Sequence, residues 1–222
     1  MATKFVEFWL KTISYIYPIT LHTTQSNHHE TLEIGYQNGK KVLNTATTNY
    51  SYGSLQEVLK TGLLHLNLDS KIQNILVLGM GAGSVVQTIR ENFQLQMPIT
   101  LVDIDAKIIE LTEQYFNLKK YKNIEIICAD AFDFIKQTNQ KFDVIIVDIF
   151  IENQLPTIFL GKEFIENLAG KTHQKILFNT LIETLSDEEF IKVRNTFQAK
   201  NIKTKVIDNV LETNRLLIIE KI

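Results

Sequence analysis

The 222-residue sequence predicts an α/β chain. The expected core is a Rossmann-type sheet of five parallel strands closed by a C-terminal antiparallel hairpin. A small N-terminal helix and an antiparallel β-unit should precede it. Three observations carry this expectation. From residue 71 onward, short apolar runs alternate with amphipathic helical patterns, as in repeated βα units with right-handed crossovers. Residues 74–84 (Asn-Ile-Leu-Val-Leu-Gly-Met-Gly-Ala-Gly-Ser) turn a buried strand into a helix through Gly79, Gly81 and Gly83. Near the end, residues 204–211 and 216–220 are separated by a link too short for a crossover, so they should pair antiparallel.

In chain order, Phe5, Val6, Trp9, Leu10, Ile13 and Ile16 recur at helical spacing. We expect an amphipathic helix packed on the body or on a second copy of the chain. Residues 19–24, 31–36 and 40–45 alternate as strands. Asn38-Gly39, between the last two, is a strong hairpin signal because both turn positions need positive φ. Residues 25–29 form a polar loop. Ser54 and Glu57 have capping-box spacing ahead of a helix reaching Leu66. Strands are expected over 74–78, 99–102, 124–128, 144–147 and 176–178, with helices over 84–93, 106–116, 131–136 and 162–169. Ser186 and Glu189 have the spacing of a second capping box, before a helix to about residue 199. The expected division is 1–53 for the helix and β-unit and 54–222 for the Rossmann domain.

Composition narrows the function. The net charge of −2 advertises no surface for nucleic acid or anionic membrane. The apolar N-terminal segment is short and interrupted by Glu7 and Lys11, so neither a secretory signal nor a membrane span is expected. Cys128 is the single cysteine. That suits a reducing, cytoplasmic location, and its apolar neighbours suggest a buried, inert thiol. The five histidines lack metal-ligand spacing, so no metal site is expected.

The chemistry converges on the carboxyl ends of the strands. A glycine turn followed by a helix lets a ligand approach the backbone and meet free N–H groups. Asp103 ends the second strand of the large sheet, where an acid can hold both hydroxyls of a ribose. Asp105 is placed to cap the following helix, leaving Asp103 for a ligand. The turn reads G-x-G-x-G, with Ser84 where a dinucleotide fingerprint would carry its last small residue. This tighter form resembles the first motif of S-adenosylmethionine-dependent methyltransferases. Asp130 and Asp148 also follow strands. Asp130 is placed to cap the next helix or touch a ligand. Asp148 is followed by a loop and is the best general-base candidate in the chain.

Together these motifs resemble the polyamine aminopropyltransferase (spermidine synthase) family. The resemblance runs through the N-terminal hairpin, Tyr52, the glycine turn, Val102-Asp103-Ile104-Asp105, Ala129-Asp130-Ala131, Asp143-Val144-Ile145-Ile146-Val147-Asp148 and Leu155-Pro156-Thr157-Ile158-Phe159 with Phe164. It implies a dimeric transferase that moves aminopropyl from decarboxylated S-adenosylmethionine to an amine, leaving methylthioadenosine. It implies nucleoside binding by Gly79, Gly81, Gly83, Asp103, Asp130, Ala131 and Gln56. Asp148 and Tyr52 would be catalytic, and residues 155–159 would gate the site.

Three departures from the family pattern share a chemistry. Ala82 stands where the family turn carries Asp, Ile151 where it has a second acid after strand four, and Gly53 where glutamine follows the tyrosine. Gln56 lies one helical turn on. The positions that grip ammonium groups are depleted while the nucleoside positions are kept. Alternatives are therefore a methyltransferase using S-adenosylmethionine itself, a non-catalytic nucleoside-binding homologue and, more distantly, an NAD-dependent dehydrogenase.

Overall fold

The computed structural model describes residues 2–45, 49–51, 53–151, 154–182, 185–198 and 202–221. Helix α1 (Ala2–Ile13) leads into a four-stranded antiparallel sheet of β1 (Ile19–Thr24), β2 (Leu32–Gln37), β3 (Lys40–Thr45) and β4 (Asn49–Ser51), in that spatial order. After α2 (Ser54–Leu66) come β5 (Ile75–Leu78), α3 (Ser84–Gln87), β6 (Ile99–Asp103), α4 (Ala106–Tyr115), β7 (Ile124–Cys128), α5 (Ala131–Gln137) and β8 (Phe142–Val147). The chain closes with α6 (Lys162–Lys171), β9 (Thr172–Leu181), α7 (Asp187–Gln198), β10 (Lys203–Val210) and β11 (Asn214–Glu220). The large sheet has the order β10-β11-β9-β8-β5-β6-β7. Its five strands β5 to β9 are parallel, and β11 is antiparallel to both neighbours. The methyltransferase-like Rossmann architecture with an antiparallel terminal hairpin is therefore the fold.

Strand periodicity divides the core. Leu76, Leu78, Ile145 and Val147 feed one apolar cluster with Ile135, Phe164 and Phe190, on the face covered by α5, α6 and α7. Ile75, Val77, Val144 and Ile146 feed the opposite cluster with Leu59, Leu63, Val86 and Ile89. Both faces of β5 and β8 are buried, which explains their unbroken apolar runs. A third cluster joins Leu32, Ile34, Val42 and Leu43 of the small sheet to Ala82, Ile108 and Leu111. The small sheet is thus welded to the glycine turn and α4.

Several local expectations need correction. The Asn38-Gly39 turn forms with φ of 50° and 73°, and the Ser186–Glu189 capping box forms. Gly53, not Ser54, takes the N-cap position of α2, at φ 65°. Glu57 pairs with Lys60. The helix after the glycine turn changes pitch, running as a π-turn over Thr88–Asn92. There the buried Arg90 guanidinium donates to the carbonyls of Leu95, Met97 and Lys122.

Cys128 is exposed, not buried; it ends β7, an edge strand none of whose residues is fully buried. Helix α1 does not bury its stripe on the body either. It is tethered by polar contacts, Tyr36 Oη donating to Glu7 at 3.0 Å and the Gly39 N–H donating to Ser14 Oγ at 2.9 Å. Phe5, Phe8 and Trp9 stay 65%, 62% and 49% exposed. No helix among the described residues is long and apolar enough to cross a membrane.

Gly79 and Gly170 make opposite demands. Gly79 has φ of 84°, and a Cβ there would overlap the Asp148 carbonyl oxygen. Gly170 lies in α6 with open space around it. Gly79→Ala should therefore cost at least about 2 kcal/mol in urea unfolding, whereas Gly170→Ala should gain about 0.5 kcal/mol.

Candidate nucleoside site and catalytic acid

The strand ends meet at the glycine turn through a ladder of main-chain bonds. The Gly79 N–H donates to Val102 O, Asp148 N–H to Leu78 O and Ala129 N–H to Asp103 O, each at 2.9 Å. Gly79, Gly81 and Gly83 all adopt positive φ. The missing Cβ atoms serve the protein itself at two of them. Gly79 abuts the Asp148 main chain and Gly83 the Leu118 side chain.

Beside this turn lies a cleft of about 200 Å³. Gly79, Asp103, Asp105, Asp130 and Ala131 form one side of its lining. Ile149, Phe150, Ile151, Pro156, Ile158 and Phe159 supply an apolar side. The expected gate segment is thus at the cleft, where Phe159 rests edge-on against buried Phe164 at 5.0 Å. Three carboxylates and no lysine or arginine occur among the lining residues. Such a surface suits hydroxyl donors and cations and repels phosphates.

Asp103 is buried and more committed than the sequence suggested. Its Oδ2 accepts from Met80 N–H at 3.1 Å and its Oδ1 from Asp105 N–H at 3.0 Å. It ties the turn to the end of β6, yet each carboxylate oxygen has further lone-pair capacity for a ribose hydroxyl. Burial pushes its carboxyl up to about 6, against these N–H bonds, which favour the ionised form. Asp105 caps α4 by accepting from Lys107 N–H at 2.9 Å. Asp130 does serve as an N-cap, accepting from Phe132 and Asp133 N–H at 2.7 and 3.0 Å, and it also lines the cleft.

The polar loop holds two residues that motif reading missed. His28 and His29 line the cleft. Ser26 organises the loop: its Oγ accepts from the N–H groups of both histidines and donates to Asp105. The signal was the His-His pair itself, which carried no spacing to interpret.

Asp148 follows β8 and does not line this cleft. Its carboxylate accepts from Asn179 Nδ2 at 2.7 Å. Burial pushes it up to about 6, the Asn179 bond acting in the opposite direction. An acid poised there can accept a proton near neutral pH. Gln56 also lies outside the cleft lining; its Nε2 donates to Thr88 Oγ1 at 3.3 Å. Tyr52 falls outside the described residues. Among the described residues no group of three His, Cys, Asp or Glu side chains could hold a metal ion.

The comparisons with known proteins bear on the family and the fold. The model of the spermine/spermidine synthase domain matches residues 57–206. The chain belongs to that family. Within it, the chain is 29% identical over 161 residues to a polyamine aminopropyltransferase of Saccharolobus islandicus, covering 68% of this chain and 53% of that one. A relative of the same name from Sulfurisphaera tokodaii is 26% identical over 168 residues, covering 71% and 53%. The chain spans about half the length of these curated relatives. Among solved structures it is similar to a probable spermidine synthase from Corynebacterium glutamicum, with TM-score 0.72, 17% identity, and 90% and 78% of the two chains covered. Human Methyltransferase-like protein 13 in complex with SAH shares the fold at TM-score 0.53 and 20% identity, with 74% and 78% covered.

The raised carboxyl of Asp148 has a consequence for stability. Between its ordinary value of 3.8 and about 6, the native state holds a proton that the unfolded chain has lost. Native stability therefore falls as pH rises through that window. Asp148→Asn should be more stable than wild type at pH 7.5, by about 1–3 kcal/mol, and indistinguishable from it at pH 3.5. Urea unfolding at the two pH values measures this.

Proposed function

We propose that the chain is a cytoplasmic, spermidine synthase-like transferase that binds a nucleoside of the S-adenosylmethionine type and transfers an aminopropyl group to an amine. The observation that carries the reading is the pairing of the Asp103 cleft with the separate, half-buried Asp148 at the end of β8. In this reading Asp103 holds the ribose hydroxyls and Asp130 and Ala131 meet the base. Residues 155–159 exclude water. Residues 1–53 act as an accessory unit, and 54–222 carry the chemistry.

Asp148 takes the catalytic step. It holds the acceptor ammonium and removes a proton, freeing the nitrogen lone pair. The amine then attacks the sulfonium-bound carbon of the propyl group. The C–N bond forms as the C–S bond breaks, and the sulfur keeps the electron pair as a thioether. Tyr52 positions the reacting groups.

A second reading, methyl transfer from S-adenosylmethionine itself, is favoured by one observation. Ala82 is fully buried among Leu32, Ile34, Val42, Leu43, Ile108 and Leu111, so the turn offers no carboxylate there for a donor ammonium. Isothermal titration with decarboxylated S-adenosylmethionine, S-adenosylmethionine and methylthioadenosine separates the readings. Tighter binding of the decarboxylated donor supports aminopropyl transfer, tighter binding of the carboxylated one supports methylation, and no binding supports a non-catalytic homologue. Asp148→Asn should lower aminopropyl turnover by about 10²-fold with nucleoside affinity within about twofold. A fall in affinity alone would move Asp148 to the binding site.

The chain is also proposed to work as a homodimer through α1. Phe5 and Phe8 pack edge-on against Trp9, and the three rings form an apolar surface that the described body leaves open. Light scattering at micromolar concentration should give twice the chain mass, and Trp9→Glu should give a monomer. A monomeric wild type would remove this proposal.

A further inference from the structure

Three strands present a row of polar side chains at the carboxyl edge of the large sheet. Val147 of β8 is level with Phe178 of β9, so Asp148 stands beside Asn179. On the other side of β9, Asn214 of β11 lies opposite Leu181, two residues from Asn179 and on the same face. Hydrogen bonds connect the row without a break. Thr213 Oγ1 donates to Asn214 Oδ1 at 2.8 Å, Asn214 Nδ2 to Asn179 Oδ1 at 2.9 Å, and Asn179 Nδ2 to Asp148 Oδ1 at 2.7 Å.

All three donors point toward the carboxylate. An ionised carboxylate only accepts, so Asn179 must turn its Nδ2 to Asp148 and its Oδ1 to Asn214. Asn179 and Asn214 are 0% and 4% exposed, while Thr213 is exposed. Asparagine is a poor strand residue, and a buried amide is costly unless bonded. Two of them in one buried row have a use only if the row ends on a group that needs donors. Among the described residues no charged group acts on Asp148; burial, which raises its carboxyl, and the Asn179 amide, which lowers it, are the influences found there.

We infer that Asn179 and Asn214 are positioning residues, a relay that fixes the orientation of the Asp148 carboxylate from the terminal hairpin and favours its ionised form. Asp148 is here the proton acceptor proposed above. With Oδ1 engaged by Asn179, its Oδ2 has no hydrogen-bond partner among the described residues and is the oxygen left for an amine. The turn between β10 and β11 thereby acts on the reacting acid across two strands.

The test follows the titration of Asp148 by carboxyl 13C NMR, with Asp148→Asn assigning its signal. Removing a donor to the ionised form should raise the midpoint in order of distance along the relay. Asn179→Ala should raise it by about half a pH unit or more, Asn214→Ala by less and Thr213→Val least. Thr213 lies in an exposed turn, so that variant keeps the test alive if the buried substitutions unfold. In aminopropyl turnover, Asn179→Ala should lower kcat about tenfold or more and move the acid limb of the pH profile upward, with nucleoside affinity within about twofold. The NMR titration needs no substrate, so two failures are distinct. Shifted midpoints in a protein with no aminopropyl transfer would sink the transfer reading and leave the relay. Unmoved midpoints in a working transferase would overturn the relay.

Discussion

The approach of β5 to β8 at Gly79 is the constraint on which the site depends. A residue at positive φ there, with the Asp148 main chain where its Cβ would be, allows Leu78 O to receive the Asp148 N–H. That bond aligns β5 with β8, and the bond from Gly79 N–H to Val102 O aligns it with β6. Asp103 completes the joint by accepting from Met80 N–H. The glycine turn is therefore first a device for assembling three strand ends. Its use as a floor for a ligand follows from the geometry that assembly requires.

The electrostatic character of the site has the same origin. Strands buried on both faces deliver their acids into a region of low polarity, and burial raises both Asp103 and Asp148. Asp103 is stabilised by main-chain N–H groups and Asp148 by an amide, in both cases by dipoles and not by a cation. An incoming cation or hydroxyl donor thus meets carboxylates that have not spent their charge on a neighbour. The cost falls on stability above the window in which these groups ionise.

Much of this was legible in the sequence because it rests on period and punctuation. Alternating βα patterns, the glycine spacing and the short final link specify five parallel strands and an antiparallel terminal pair, and an acid after a strand marks the ligand edge. What escaped carries no such signal. Asn179 follows an apolar run and Asn214 sits at a turn, so each looked local; their meaning depends on β9 lying between β8 and β11. His28 and His29 reach the cleft through the Ser26–Asp105 contact, between residues far apart in sequence. Cys128 was misjudged because an apolar run does not reveal that its strand lies at an edge. The cap of α2 was placed one residue late, since Gly53 takes the cap position.

Ala82 also bears on how this chain could have diverged. Its methyl group is packed between the small sheet and α4. An aspartate introduced there alone would bury an unpaired charge among aliphatic side chains, at a cost of several kcal/mol. It becomes tolerable only after Leu32, Ile34, Val42 or Leu43 yields space or polarity. The residue at 82 and the apolar side chains of β2 and β3 that share its cluster thus constrain one another. A change from alanine to an acid at this turn therefore needs a companion change in its lining.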